Sequence, residues 1–313
     1  MNRSGKLHAL LSTSRVANIP SVVSNVWVGM ALGTLITNTG LAVPVIAWST
    51  ALRLVVAGVA LYVAGNFLND WADRQWDAER RPERALPRGL FSPALYAGIA
   101  GSLGILGVML AATASTASAA MAAAIVVSIC IYTYSHKRTP WSVLPMGLCR
   151  AFLPLMGMLG IADISDFPPQ LLSTAGGLFF YIMGLSLSAR YESMAVAPKF
   201  ATWLSKGLLI FAALIMGLPF YGWVDPASLV WWQFLPYGIW LLFCVTANRK
   251  PIPVYVSSLL AGIPLLDWIQ MLPILGAMKS LENGWTPSAI ACFAIPPLAF
   301  IFALLLQRLA PAT

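Results

Sequence analysis

Leu54-Val55-Val56-Ala57-Gly58-Val59-Ala60-Leu61-Tyr62-Val63-Ala64-Gly65-Asn66-Phe67-Leu68-Asn69-Asp70-Trp71-Ala72-Asp73-Arg74-Gln75-Trp76-Asp77 joins two unlike environments in one stretch. Its first part closes an apolar run over 42–69, longer than the about 20 residues a helix needs to cross a bilayer. Its second part holds three of the 11 acids in the whole chain. A helix turns about 100° per residue, so with Asp70 at zero, Asp73 falls at about 300°, Asp77 at about 340° and Asn66 at about 320°. Three carboxylates and an amide therefore share one face at the end of an apolar helix.

Composition extends that reading to the whole molecule. Of 313 residues, 59% are apolar and only 10% charged, with a mean hydropathy of +0.78. A soluble globule carries about 25% charged residues to cover its surface. This chain cannot cover itself in that way, so its outer solvent is lipid. Disordered, disulfide-scaffold and ordinary cytosolic classes are excluded. The expected fold class is all-α: a polytopic membrane helical bundle of nine to ten transmembrane helices, a single integral membrane domain over 1–313 with a polar, basic cytosolic tail at 1–14. Ten candidate spans fall near 16–37, 42–69, 92–113, 116–135, 142–162, 168–190, 202–222, 229–247, 254–276 and 287–307. Pro264 and Pro273 make the ninth a candidate for a kinked or re-entrant segment.

With the N-terminus inside, 16 of the 19 Lys and Arg residues fall in inside segments and only Lys279 in an outside loop. That is a strong positive-inside pattern. It predicts a multi-pass protein with its N-terminus and active site facing the cytoplasm (the plasma or inner membrane in a bacterium). The net charge of +8 is scattered in short clusters between apolar runs, which argues for topology and against nucleic acid. The four cysteines sit in apolar stretches without a CxxC, and the two histidines, His8 and His136, lie in polar flanks. Neither set reads as a metal site.

Like charges stacked on one helical face repel, and more so at a membrane boundary. A divalent cation offsets that repulsion; hard Mg²⁺ takes carboxylate oxygens together with substrate phosphates. Asp70, Asp73 and Asp77 are thus candidate Mg²⁺ ligands. Immediately after them, Arg80-Arg81-Pro82-Glu83-Arg84-Ala85-Leu86-Pro87-Arg88-Gly89 holds two helix-breaking prolines and is expected as an ordered loop that returns Arg80 and Arg84 to the acids. Acids for a metal beside guanidiniums suit a diphosphate.

The pattern Asn69-Asp70-x-x-Asp73-x-x-x-Asp77 followed by Arg84-x-Leu86-Pro87-x-Gly89 resembles the first signature of the UbiA superfamily of intramembrane prenyltransferases. Tyr132-Thr133-Tyr134-Ser135-His136-Lys137-Arg138 is similar to the family's Tyr/Lys-Arg segment after its fourth helix, and Arg150 to an arginine early in its fifth. The resemblance covers roughly 12–195. It departs after the sixth helix, where the family has a second Asp-rich motif and this chain has Ser186-Leu187-Ser188-Ala189-Arg190-Tyr191-Glu192-Ser193, with Glu192 as its one acid. In this it is similar to the EboC-like branch.

The resemblance implies a prenyltransferase that binds an isoprenyl diphosphate with Mg²⁺. In that role Asp70, Asp73 and Asp77 hold the metal, supported by Asn66 and Asn69. Arg80, Arg84, Lys137 and Arg190 bind the diphosphate. Tyr134, Arg150, Glu192 and Asp267 are candidates for the acceptor or cavity; Arg150 and Asp267 lie within spans, where charge is costly and marks a site. The acceptor is lipophilic or small and polar, reacting through an aromatic carbon or hydroxyl. The missing second motif leaves a non-catalytic prenyl-lipid-binding protein or a transporter as the alternative. A CDP-alcohol phosphotransferase ranks last, because its DGxxAR stretch is absent around Asp73 and Asp77.

Overall fold

The computed structural model describes residues 3–37, 46–163, 169–190, 198–217, 231–247, 251–279 and 286–309. Among these the ordered elements are helices: α1 Arg3–Thr13, α2 Ile19–Thr37, α3 Trp48–Arg80, α4 Pro93–Ala112, α5 Thr116–Ser135, α6 Val143–Leu159, α7 Pro169–Arg190, α8 Lys199–Gly217, α9 Leu235–Thr246, α10 Ile252–Lys279 and α11 Pro287–Gln307. Several starts are written locally. Ser92, Ser115 and Thr286 each accept a backbone N–H three residues on, at 3.2, 2.9 and 3.2 Å, and a proline follows Ser92 and Thr286 directly. Such caps satisfy an N–H the first turn leaves unpaired, and proline at the first helical position has none to lose.

The core is built where helices meet. One apolar cluster joins α2, α3 and α6 with buried residues of α5, α10 and α11, through Val22, Val26, Met30, Leu54, Leu61 and Met156 among others. A second joins α7 to α8, α9 and α10 through Leu178, Ile182, Leu209, Met216 and Leu266. Between α2 and α6 the backbones approach so closely that a Cβ on Gly29 would lie 2.0 Å from the Pro154 carbonyl oxygen, and one on Gly157 2.3 Å from that of Val26. Small residues at such crossings are how helices pack when lipid supplies no hydrophobic drive. The outward faces carry large apolar side chains, among them Ile105 and Met109 on α4, Phe200 and Trp203 on α8, and Ile301 and Phe302 on α11. Water would penalise that surface; hydrocarbon does not.

Nine helices among the described residues are long and apolar enough to cross a membrane. Two sequence expectations change. The candidate at 254–276 is not re-entrant: α10 runs unbroken for 28 residues with Pro264 and Pro273 inside it. Surrounding helices compensate for the hydrogen bonds those prolines forgo. The short element is instead the candidate at 229–247, where α9 has 12 residues. At 1.5 Å per residue that is about 18 Å, below the about 30 Å of a hydrocarbon core. The polar, basic tail expected at 1–14 is helical over most of its length. Residues 3–13 form α1, whose Ala9 and Leu10 pack against the cluster of Phe67, Ala85 and Tyr96 at the end of α3.

Candidate functional site

The face of α3 predicted from angles extends one turn back to Tyr62, and of its three carboxylates Asp70 is not among the cavity-lining residues. Tyr62, Asn66, Asn69, Asp73 and Asp77, at spacings of four, three, four and four, all line one cavity of about 470 Å³. Facing them are α5 with Ile125, Ile129 and Tyr132, α6 with Cys149, Arg150 and Leu153, α7 with Ile182, Leu185 and Arg190, and α10 with Leu260. The cavity is apolar along its helical walls and charged at the end where α3 terminates. Six Lys or Arg side chains (Arg15, Arg81, Arg84, Lys137, Arg150 and Arg190) line it against two acids, Asp73 and Asp77.

The loop after α3 is folded tightly back. Arg84 N donates to Arg81 O at 3.1 Å, Arg88 N to Arg84 O at 3.1 Å, and Leu90 N to Ala85 O at 3.1 Å. Gly89 closes it at φ 67°, a backbone conformation open to glycine and costly for most other residues. Ala85, Leu86 and Leu90 pack on Phe67 and Tyr96, which fixes where Arg84 returns. Its Nη1 donates to Asp70 Oδ1 at 2.9 Å and to Asp77 Oδ2 at 3.3 Å. Asp70 Oδ2 also accepts from the buried Thr13 hydroxyl at 3.3 Å, so α1 is tied to the same carboxylate.

Asp73 is held from the other side. Lys137 Nζ stands 2.6 Å from its Oδ1 and His136 Nε2 3.2 Å from its Oδ2. The Lys137 ammonium also lies over the Trp76 ring, 3.9 Å from its centroid. The three carboxylates thus divide between two sets of cations. Among the described residues no three His, Cys, Asp or Glu side chains converge on one metal position. The three carboxylates expected to hold Mg²⁺ are thus not gathered on one position in this structure: Asp70 and Asp77 are bonded to Arg84, and Asp73 to Lys137 and His136. The donor chemistry fits a hard divalent cation: these are oxygen ligands on adjoining turns, and Asn69 Oδ1, on the cavity wall with Asp73 and Asp77, is buried with no hydrogen-bond partner among the described residues.

Of the other expected site residues, Asn66, Arg84, Lys137, Arg150 and Arg190 line the cavity. Asn66 Nδ2 donates to Ser14 O at 3.1 Å, and Arg190 Nη1 to Thr139 O at 3.2 Å. Arg80 does not reach the cavity. α3 runs through Arg80, so the loop begins only at Arg81; the Arg80 guanidinium sits over Trp76 and 3.8 Å from Glu79, while Arg81 takes a place in the lining. Tyr134 is likewise outside, 70% exposed under Arg138. Tyr132, two residues and about 200° away on α5, faces inward instead. Asp267 is fully buried but off the cavity wall. Glu192 lies outside the described residues.

Several lining residues escaped the sequence reading. Tyr132 and His136 are one helical turn apart with rings stacked at 5.1 Å, a spacing that could have revealed them once Lys137 was chosen. Tyr62 extends the acidic face by one turn. Arg15 had no such signal: it adopts φ 47°, left-handed, in a turn where its carbonyl accepts from the Tyr62 hydroxyl at 3.3 Å.

Comparison with known proteins supports this architecture. A digeranylgeranylglyceryl phosphate synthase structure aligns with a TM-score of 0.59 at 18% identity, over 88% of this chain and 99% of the other. The apo structure of a UbiA homolog from Aeropyrum pernix K1 aligns at 0.51 and 12%, over 94% and 98%. A UbiA homolog from Archaeoglobus fulgidus bound to GPP and Mg²⁺ aligns at 0.49 and 13%, over 96% and 99%. Among curated proteins none matches this sequence. The model of the UbiA prenyltransferase family matches residues 26–251, well over half of the chain, including the whole of the acidic face, its arginine loop and α4 to α7, and the chain belongs to that family.

Proposed function

We propose that this chain transfers an isoprenyl group from its diphosphate to an acceptor bound in the same cavity, with the diphosphate at the cytoplasmic end. The observation that carries the reading is a cavity lined by six cationic side chains against two acids, five of the six near the end of α3 and Arg150 deeper, with largely apolar helical walls between. A ligand that is polyanionic at one end and hydrocarbon along the rest matches both. A cavity of about 470 Å³ lies within the usual range for an enclosed small-molecule site.

The chemistry follows from where charge develops. When the allylic C–O bond breaks, negative charge accumulates on the leaving diphosphate oxygens and positive charge on the allyl group. In this reading Arg81, Arg84, Lys137 and Arg190, which line the cavity, surround the leaving group, and preorganised cations there stabilise the transition state more than the ground state. Asp70, Asp73 and Asp77, with Asn66 and Asn69, are the residues that would hold Mg²⁺, which would supply positive charge to the leaving diphosphate. Ile125, Ile129, Ile182 and Leu185 exclude water, so the acceptor captures the allylic carbon and loses a proton.

Full-length protein in detergent, given geranyl diphosphate with and without Mg²⁺, tests the reading. The expected result is saturable, Mg²⁺-dependent binding, with prenylated product when a panel of acceptors is supplied. No binding of the diphosphate would exclude it. Binding without turnover across the panel would favour the second reading, a non-catalytic prenyl-lipid binder. That reading draws on the carboxylates being already paired with Arg84, Lys137 and His136.

A further inference from the structure

Behind the cavity wall, α10 buries a carboxylate. Asp267 has 0% exposure, and its Oδ2 accepts from Ser24 Oγ at 2.5 Å and from Asn25 Nδ2 at 2.8 Å. Asn25 then offers its Oδ1 to Arg150 Nη1 at 2.9 Å. Arg150 lines the cavity, is itself buried, and makes no direct ion pair among the described residues. The chain of contacts thus runs from α10 through α2 to α6, and ends on a cation at the cavity.

An amide has a donor end and an acceptor end. Asp267 receives two donors on one oxygen, which fixes which way round the Asn25 amide lies. Turned over, its NH₂ would meet the Arg150 guanidinium donor to donor and lose the bond. Arg150 carries five N–H donors. Asn25 engages one of its nitrogens, and the Tyr62 ring lies 5.6 Å from its guanidinium carbon. Arg150 sits seven residues into α6, about 10 Å along the helix from Val143. The acidic face and the loop arginines belong to the charged end of the cavity. A second cation set deeper, with donors to spare, is available to a different anionic group.

We propose that Asp267 is a positioning residue, acting through Asn25 on Arg150, and that Arg150 so held binds an oxyanion of the acceptor substrate, a carboxylate or a phosphate. The word acceptor rests on the prenyl-transfer reading above; the Asp267 link to anion binding does not. Asp267 supplies geometry here and not charge: its acceptor oxygen orients the relay.

The test uses full-length protein in detergent and three probes: benzoate, phenyl phosphate and, as neutral control, benzyl alcohol. Each is titrated with and without geranyl diphosphate and Mg²⁺. Wild type is expected to bind one or both anions, and which one identifies the acceptor's group, but not benzyl alcohol. Asp267→Leu removes the orienting oxygen and should weaken the anion about tenfold, the worth of one charge-assisted hydrogen bond. Asp267→Asn keeps an acceptor oxygen, so it should bind the anion as tightly as wild type. Geranyl diphosphate affinity should stay within about twofold in both, since a factor of two is small beside one hydrogen bond. A purely structural tie would not split the two ligands in this way. If Asp267→Leu does not fold, Asn25→Ser breaks the relay at its middle and carries the same expectation.

Three results would overturn the proposal: no anion binding by wild type, an Asp267→Leu or Asn25→Ser protein that binds the anion like wild type, or an Asp267→Asn protein that loses it. Failure of geranyl diphosphate to bind wild type would instead remove the prenyl-transfer reading, while the anion titration without it still decides the link.

Discussion

Among the described residues Arg84 is the one side chain bonded to two of the three carboxylates, and both are largely enclosed: side-chain exposure is 12% at Asp70 and 3% at Asp77. Removing one partner of an enclosed charge pair leaves the other uncompensated, at about 3–5 kcal/mol. Arg84→Ala should therefore lower the melting temperature of the detergent-solubilised protein clearly. Added Mg²⁺ should restore much of the loss, because a divalent cation can take over the counter-charge at Asp70 and Asp77. A melting temperature unmoved by Mg²⁺ in that variant would show that the acidic face does not take the metal. Asp73→Asn, beside Lys137 and His136, should cut Mg²⁺-dependent turnover about 10²–10³-fold, the scale set by losing one preorganised electrostatic group. The Asp70, Asp73 and Asp77 variants should be non-additive, since the first loss already disables the unit. The acidic face was legible because its spacing is local and periodic. Its partners were less so. Lys137 was found through a motif, and His136 stands beside it in the same motif, one turn from Tyr132, whereas Arg15 meets the site only through tertiary packing and carries no local pattern. Arg80 and Tyr134 were misplaced for one reason: α3 and α5 each run on to the edge of their polar flank, so side-chain direction follows the helical angle and not nearness in sequence.

At the scale of elements, the crossing of α2 and α6 decides how firmly the cavity floor is held, because Arg150 and Leu153 lie on the same helix as Pro154 and Gly157. A Cβ at Gly29 would meet backbone, the Pro154 carbonyl at 2.0 Å, and backbone cannot swing aside as a flexible side chain can. Gly29→Ala should cost about 1–3 kcal/mol, the range for overpacking a close-packed site. Gly98→Ala and Gly101→Ala, on α4 with nothing within 4 Å of the added atom, should be near neutral. Comparable melting temperatures for all three would contradict the close approach. The helices themselves were readable from apolar length, and the caps at Ser92, Ser115 and Thr286 from residue type. What sequence could not rank was continuity. Proline density pointed to α10 as the broken element, yet α10 is enclosed by α2, α7, α8, α9 and α11, and neighbours of that kind support a helix through Pro264 and Pro273. Nor did a basic, weakly apolar tail announce α1; its order comes from Thr13 reaching Asp70 and Tyr96, contacts 57 and 83 residues away.

For the whole molecule, two independent lines bear on topology, and they can fail separately. The first is geometric. Lys137 Nζ at 2.6 Å from Asp73, Arg190 Nη1 at 3.2 Å from Thr139 O and Thr13 Oγ1 at 3.3 Å from Asp70 gather the ends of α1, α3, α5 and α7 and the approach to α6 at one end of the bundle. The 20 residues of α4, about 30 Å of helix, separate the Arg88 loop from Thr113 at the other end. The second is the charge asymmetry, 16 of 19 Lys and Arg residues in the segments expected inside, which is the ground for expecting the gathered end on the cytoplasmic side. Single cysteines at Arg88, Arg138 and Thr113, with the exposed Cys130 replaced by Ser, separate the two when labelled by a membrane-impermeant maleimide in intact cells. Arg88→Cys and Arg138→Cys should react only after permeabilisation, and Thr113→Cys before it. Opposite labelling of Arg88→Cys and Arg138→Cys would refute the geometric argument, because no bilayer can pass between Asp73 and Lys137 while they remain paired. Reversal of all three together would leave the bundle intact and overturn only the charge assignment, moving the diphosphate end of the cavity to the outer face and away from any cytoplasmic supply of substrate.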